Sequence, residues 1–383
     1  MKLSKTAVAV GAVMALAACS DESPVSARVD LVPVLSAGAR GIEGQYIVVV
    51  REGADPRSVA AVAGASPRYV YTAAINGFAA TLNAGQLNAL QQNPNVETIE
   101  QDQTAQASAT QSGATWGIDR IDQRSRPLSG TYTYTTTASG VYAYIIDTGI
   151  YAAHSNFGGR ASNVYDAFGG NGNDCNGHGT HVAGTVGSAT YGVAKAVRLR
   201  GVRVLDCAGS GSFAGIIAGI DWVRVNRTNP AVANLSLGGG YSSTLNNAVT
   251  NLANSGVFVA VAAGNENQLA CNVSPASASA VTTVASSTSS DAKSSFSNYG
   301  SCVDVYAPGS SITSTWSNGG TNTISGTSMA SPHVAGVGAL YKATYGNASQ
   351  ATIDTWIKNN ATANVITGNP TGTPNRLLYK AAL

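Results

Sequence analysis

From about Thr115 onward the sequence alternates apolar runs with helical stretches, and that alternation constrains the fold more than any other feature. VYAYIID (141–147), AVRLRGVRVLD (196–206), VANLSLGG (232–239) and GVFVAVAAGN (256–265) read as buried strands. Between them, HVAGTVGSA (181–189), FAGIIAGIDWVRVN (213–226) and STLNNAVTNLANSG (243–256) read as helices. Strands separated by helices imply a mostly parallel sheet covered on both faces. The expectation is one three-layer α/β domain over residues 107–383, with ligands bound at the carboxyl ends of its strands.

The preceding sequence is of another kind. Residues 1–19, MKLSKTAVAVGAVMALAAC, place Lys2 and Lys5 before an apolar run too short to span a bilayer, which predicts a secretory signal. Its end, Leu16-Ala17-Ala18-Cys19, resembles the bacterial lipobox, so Cys19 is expected to carry lipid and tether an exported chain to the cell envelope. Residues 20–44, polar and containing Pro24 and Pro33, read as a tether. Residues 45–106 read as a small α+β unit. Its strands are QYIVVV (45–50), INGFAATL (75–82) and VETIE (96–100), and its helices PRSVAAVAG (56–64) and AGQLNALQQNP (84–94). DQTAQASATQSG (102–113) shows no apolar periodicity and reads as an exposed linker. With 11% charged and 44% hydrophobic residues the chain is folded rather than disordered. A net charge of +2 without a dense Lys/Arg block argues against a nucleic-acid partner.

Three polar residues stand where elements hand over. Asp147 ends YAYIID, His178 lies in the glycine-flanked loop DCNGHGTH, and Ser328 opens the helical stretch after SGT. A serine hydroxyl needs a base to take its proton and a carboxylate to orient that base, and these residues supply all three roles. ISGTSMASPHVAG also holds Ser325 and Ser331, read as packing or capping residues. His181, one helical turn past His178, is the rival base and is expected to pack beside the site. HGTH lacks the glutamate and spacing of a zinc-protease motif.

IDTGI (146–150), HGTHVAGT (178–185) and GTSMASPHVAG (326–336) resemble, in order, the three signature blocks of the subtilisin-like serine proteases. The likeness is strongest to the proteinase K branch and its aqualysin-like secreted bacterial members. It implies a serine endopeptidase acting on polypeptides, with Asp147, His178 and Ser328 as the triad and Asn265 completing an oxyanion hole with the Ser328 N–H. It implies that Gly209, Ser210, Gly211, Leu237, Gly238 and Gly239 receive an extended peptide. Ala262, Ala263 and Gly264 would wall a roomy pocket preferring large hydrophobic or aromatic residues before the cut. Sequence alone leaves three pairings open for Cys175, Cys207, Cys271 and Cys302. The resemblance implies Cys175–Cys207 and Cys271–Cys302.

Calcium is implied at two places. Asp119, Asp122 and Gln123 share one side of a helical turn, with hard oxygens suited to Ca²⁺. Asp304 would hold a second ion with backbone carbonyls near Ser279 and Val281. Residues 45–106 resemble the inhibitory propeptide of these enzymes, which implies a self-processed precursor cut near Gln106–Thr110 and a monomeric mature enzyme. A lipase would need Gly-x-Ser-x-Gly, and Gly326-Thr327-Ser328-Met329-Ala330 is not that motif. A catalytically idle binding module is the remaining alternative.

Overall fold

The computed structural model describes residues 31–38, 41–104 and 108–383. The expected signal and Cys19 lie outside the described residues. Two compact units divide the chain, residues 1–104 and 105–383.

The first unit is a five-stranded sheet with two helices. Gly41–Val50 pairs antiparallel with Gly77–Thr81 on one side and Val96–Gln103 on the other. Asp55 starts one helix by accepting from the Arg57 and Ser58 amides, and Asn83 starts the other through a reciprocal capping box with Gln86. Val48, Phe78, Leu90 and Ile99 are fully buried between helices and sheet. Two boundaries differ from the sequence reading. The fold begins inside the supposed tether: Val34–Leu35 pairs in parallel with Ile99–Glu100, and the long strand starts at Gly41. Pro33 and the nearby glycines hide this stretch from a periodicity argument. The supposed linker also contains a strand, Ala109–Ser112, paired antiparallel with Thr131–Tyr134 in the second unit.

The second unit is built on a nine-stranded sheet. Its principal strands are β1 (Tyr142–Asp147), β2 (Ala161–Asp166), β3 (Arg198–Arg203), β4 (Ala231–Leu235), β5 (Phe258–Ala262), β6 (Thr282–Ser287) and β7 (Val305–Pro308). Their order across the sheet is β2-β3-β1-β4-β5-β6-β7, all parallel, closed at the far edge by the short strands Arg376–Leu377 and Thr362–Ala363. The helices are α1 (His178–Gly187), α2 (Phe213–Asn226), α3 (Ser243–Asn254), α4 (Thr327–Tyr345) and α5 (Gln350–Asn360).

The period of two along each strand sorts the helices into layers. Ala143, Ile145, Val232, Phe258 and Ala260 face a core shared with Val182 and Val186 of α1, Val334 and Leu340 of α4, and Ile353 and Ile357 of α5. Tyr144, Ile146, Ala233, Val259 and Val261 face the opposite core, under Ile216 and Ile220 of α2 and Leu245 and Leu252 of α3. β1, β4 and β5 are therefore apolar on both faces, which is why these runs are continuous rather than alternating. The expected three-layer α/β architecture is present.

Candidate active site

Neighbouring strands deliver polar groups to one edge of the sheet. Asp147 ends β1, Ser236 follows β4, and Asn265 lies three residues beyond β5. The registers Asn234 with Ile145 and Leu235 with Val261 set these ends side by side. β1 is also where the strand order reverses. The chain moves first to β2 and β3 on one side, later to β4 and beyond on the other, which opens a crevice at its carboxyl end.

Asp147 is fully buried, and its Oδ1 accepts from the Thr148 N–H at 2.7 Å and from His178 Nδ1 at 2.8 Å. A carboxylate can only accept, so Nδ1 carries a proton and Nε2 keeps its lone pair in the neutral ring. His178 opens α1 because Gly177 adopts φ 110°, where a Cβ would also come within 2.3 Å of the Trp316 ring. Burial pulls the His178 pKa down. The Asp147 charge and hydrogen bond, with the charge of Asp174, outweigh it and leave the pKa above the ordinary histidine value.

Asp174 is a site residue that the sequence reading missed. Its buried carboxylate takes the Thr148 hydroxyl and the Asn176 and Gly177 amides on Oδ1, all at 2.9 Å. Oδ2 takes the Thr180 amide at 2.9 Å and the Thr180 hydroxyl at 2.5 Å. These bonds fix the loop into His178. The available signal was an aspartate two residues before Asn-Gly, a turn composition.

Ser328, half-buried, is the second residue of α4, and its Oγ donates to the Ser236 carbonyl at 3.2 Å. Pro332 stands four residues on inside the helix and has no N–H to give the Ser328 carbonyl. Ser236 Oγ fills that role at 2.7 Å, while accepting from Asn234 Nδ2 at 2.9 Å. Ser331 Oγ donates to Asn234 Oδ1 at 2.7 Å, and Ser325 Oγ accepts from the Ser311 amide at 2.8 Å, so both have the structural roles expected of them.

The Asn265 carboxamide oxygen accepts from the Thr327 amide at 2.8 Å and the Thr327 hydroxyl at 2.9 Å. That fixes which end of the side chain is left to donate. Gly264, at φ 99°, makes the turn after β5, and a Cβ there would lie 2.2 Å from Asn298 Nδ2. His181 is fully buried against the Ile312 carbonyl, and burial holds its pKa down at about 4. It packs beneath the site, as expected.

Two cavities meet at Leu237 and Gly238. One, of about 320 Å³, is lined by Gly239, Ala262, Gly264, Asn265 and Ser328. The other, of about 470 Å³, is lined by His178, Gly209, Ser210, Gly211 and Ser236. Ala263 departs from its expected place. It is fully buried in a separate core cluster, its N–H bonded to the Val284 carbonyl, because β5 still alternates faces there. Glu266, missed by the sequence reading, lines the first cavity and accepts from Asn298 Nδ2 at 2.8 Å.

Cys175–Cys207 and Cys271–Cys302 are both formed. The first ties the loop before His178 to the segment before Gly209. Closing 32 residues contributes roughly 3–4 kcal/mol in the chain-entropy picture.

The residues expected to bind calcium have their oxygens engaged by the chain's own donors. Asp119 accepts from the Ser129 amide and hydroxyl and, at 2.7 Å, from the Gly130 amide. Asp122 accepts from the Thr133 amide at 2.6 Å, and Gln123 Oε1 from the Ser129 amide at 3.0 Å. Asp304 bonds the Thr283 amide through Oδ2 and the Lys358 ammonium through Oδ1 at 2.6 Å. Ser279 and Val281, whose backbone carbonyls were expected to join it, lie just before β6. Among the described residues no three His, Cys, Asp or Glu side chains converge as a metal site, and no helix is long and apolar enough to cross a membrane.

Residues 138–377 match the subtilase family model, and residues 55–108 match that of the peptidase inhibitor I9. An extracellular serine proteinase of Thermus sp. (strain Rt41A) is 49% identical over 96% of both chains. Proteinase R of Parengyodontium album is 45% identical over 93% of both. Alkaline serine exoprotease A of Vibrio alginolyticus is 52% identical over 81% of this chain and 59% of its own length. Among solved structures, a cold-adapted subtilisin-like serine proteinase superposes with a TM-score of 0.70 at 52% identity, covering 71% of this chain and all of its own. The chain is therefore a member of the subtilase family of serine peptidases, hydrolases of peptide bonds, and carries a leading unit of the inhibitor I9 kind.

Proposed function

We propose that the chain is an exported, self-processed serine endopeptidase in which Asp147, His178 and Ser328 form the triad and Asn265 serves the oxyanion. The observation that carries this reading is the 2.8 Å bond from His178 Nδ1 to buried Asp147 at the end of β1, with Ser328 Oγ bonded to the Ser236 carbonyl at the end of neighbouring β4. Ser328 Oγ attacks the scissile carbonyl carbon while its proton passes to His178 Nε2, and Asp147 stabilises the imidazolium without taking that proton. The oxyanion receives the Asn265 Nδ2 amide and the Ser328 N–H, which lies in the first turn of α4 where amides lack an intrahelical acceptor. His178 returns the proton to the leaving amine, leaving an acyl-enzyme. Water, deprotonated by the same ring, then releases the acid and restores Ser328. Loss of the Asn265 amide costs roughly 10²–10³ in kcat, a range established in this same family.

A peptide lies extended between Gly209–Gly211 and Leu237–Gly239 as an added strand. The residue before the cut enters the cavity beside Ala262 and Gly264, which favours large hydrophobic or aromatic side chains. The leading unit inhibits the enzyme until it is cut away near Gln106–Thr110. The signal-like residues 1–19 support export, with lipid on Cys19 as an added anchor. The test is the intact mass of wild type beside Ser328→Ala. Loss of everything before about residue 109 in wild type alone, together with casein turnover, supports the reading. A front unit retained by both proteins, with no turnover, refutes it and favours a binding module.

A further inference from the structure

At the amino ends of the central strands, opposite the catalytic edge, α5 presents Gln350, Asp354 and Lys358 at successive intervals of four, one polar stripe beside the buried Ile353 and Ile357. Each member of the stripe is bound to the sheet. Gln350 Oε1 accepts from the Val259 amide at 2.6 Å, and its Nε2 donates to Thr282 Oγ1 at 3.1 Å. Thr282 Oγ1 donates to Asp354 Oδ1 at 2.8 Å. Lys358 Nζ lies 2.7 Å from Asp354 Oδ2 and 2.6 Å from Asp304 Oδ1. Asp304 is itself fixed on the sheet by two reciprocal bonds, its N–H to the Thr283 carbonyl and its Oδ2 from the Thr283 amide.

The subtilase resemblance places a divalent cation on Asp304, and here the chain's own ammonium occupies the carboxylate. Calcium binds six to eight oxygens at close range and cannot share Asp304 Oδ1 with a cation already in contact with it. We propose that Lys358 is the resident counter-ion of Asp304, so that this end of the domain needs no metal, and that removing the ammonium exposes a divalent-cation site built from Asp304 and Asp354. Through this ion pair α5 is tied to the sheet by its own side-chain charge. The site lies away from the triad, so its consequence is stability rather than chemistry.

The test uses the full chain with Ser328→Ala, which prevents self-digestion, and compares it with Asp304→Asn and Lys358→Met in that background. Bound calcium is measured by equilibrium dialysis and elemental analysis, and thermal unfolding is followed in chelator and in millimolar calcium. The expected result is equal calcium content in the parent and Asp304→Asn, and one additional ion in Lys358→Met. The Lys358→Met protein should unfold about 5 °C below the parent in chelator and recover in calcium. A calcium ion bound by the parent and lost in Asp304→Asn overturns the proposal. So does a folded Lys358→Met protein that gains none. Should Lys358→Met fail to fold, Lys358→Gln replaces it, and the parent against Asp304→Asn comparison still decides. Lys358→Arg keeps the charge and is expected to gain no ion.

Discussion

Lowering the pH from 7 to 5 should destabilise the folded protein by about 4 kcal/mol through two histidines outside the proposed chemistry. His181 and His333 are both buried, and burial is the main reason that each pKa is pushed down to about 4. Their rings are held neutral, one against the Ile312 carbonyl and the other against the Met329 carbonyl. In the unfolded chain each titrates near 6.5. Between about pH 6.5 and 4 the unfolded state therefore binds more protons, and stability falls as the pH falls. For one such group the linkage gives about 2 kcal/mol at pH 5 and about 3 kcal/mol below pH 4. His178, whose pKa is raised, has the opposite sign: its contribution is present below the ordinary value and lost as pH rises through the folded one. The assay is urea unfolding at pH 7 and pH 5 in the Ser328→Ala background, with His333→Gln and His181→Gln beside the parent. Glutamine keeps a donor and does not titrate. Each substitution should remove roughly half of the loss between the two pH values. If the loss is unchanged in both variants, the linkage argument is wrong, because carboxylate terms are common to all three proteins and cancel.

Ser236→Ala leaves the Ser328 carbonyl, already deprived by Pro332, without its donor, and should destabilise the domain by about 1–3 kcal/mol in urea unfolding while lowering kcat. Arg120 is fully buried and bonds Asp291 through Nε at 2.7 Å and Nη2 at 3.1 Å, so Arg120→Ala strands a carboxylate and should cost about 3–5 kcal/mol by the same measurement. The acid limb of kcat/KM should lie above the ordinary histidine pKa, because catalysis needs neutral His178 and Asp147 and Asp174 hold its proton on. Asp174→Asn removes one of those charges and should move the limb to lower pH, a shift that a purely structural defect would not produce.

Some of this site was legible because it is written in local residue types. Asp147, His178, Ser328 and Asn265 stand at element ends, where strand and helix patterns stop, and an unusual polar residue at such a stop is visible in one dimension. Other parts were not legible. β6, TTVASS, is buried throughout, yet its hydroxyls look like a loop until their partners are known: Thr283 Oγ1 bonds the Ala276 carbonyl and Ser286 Oγ bonds Ser294. Val34–Leu35 is too short to show a period and becomes a strand only because Ile99–Glu100 offers it a ladder. Ala263 and Ala262 are alike in sequence, and the pleat alone decides that one lines the cavity and the other the core.

Local residue patterns suffice for the layered α/β architecture, the strand ends where chemistry would be placed, and the residue types able to perform it. Periodicity and turn chemistry act within a few residues, so they can be read along the chain. Which donor meets which acceptor depends on contacts that exist only in the folded chain. Ser236 completing a turn that Pro332 breaks, Asp174 taking the Thr148 hydroxyl just after β1, and Lys358 lying on Asp304 each join residues distant in sequence. A buried polar group must be satisfied by whatever the fold brings within hydrogen-bond reach, and that choice is made by packing three layers around one sheet.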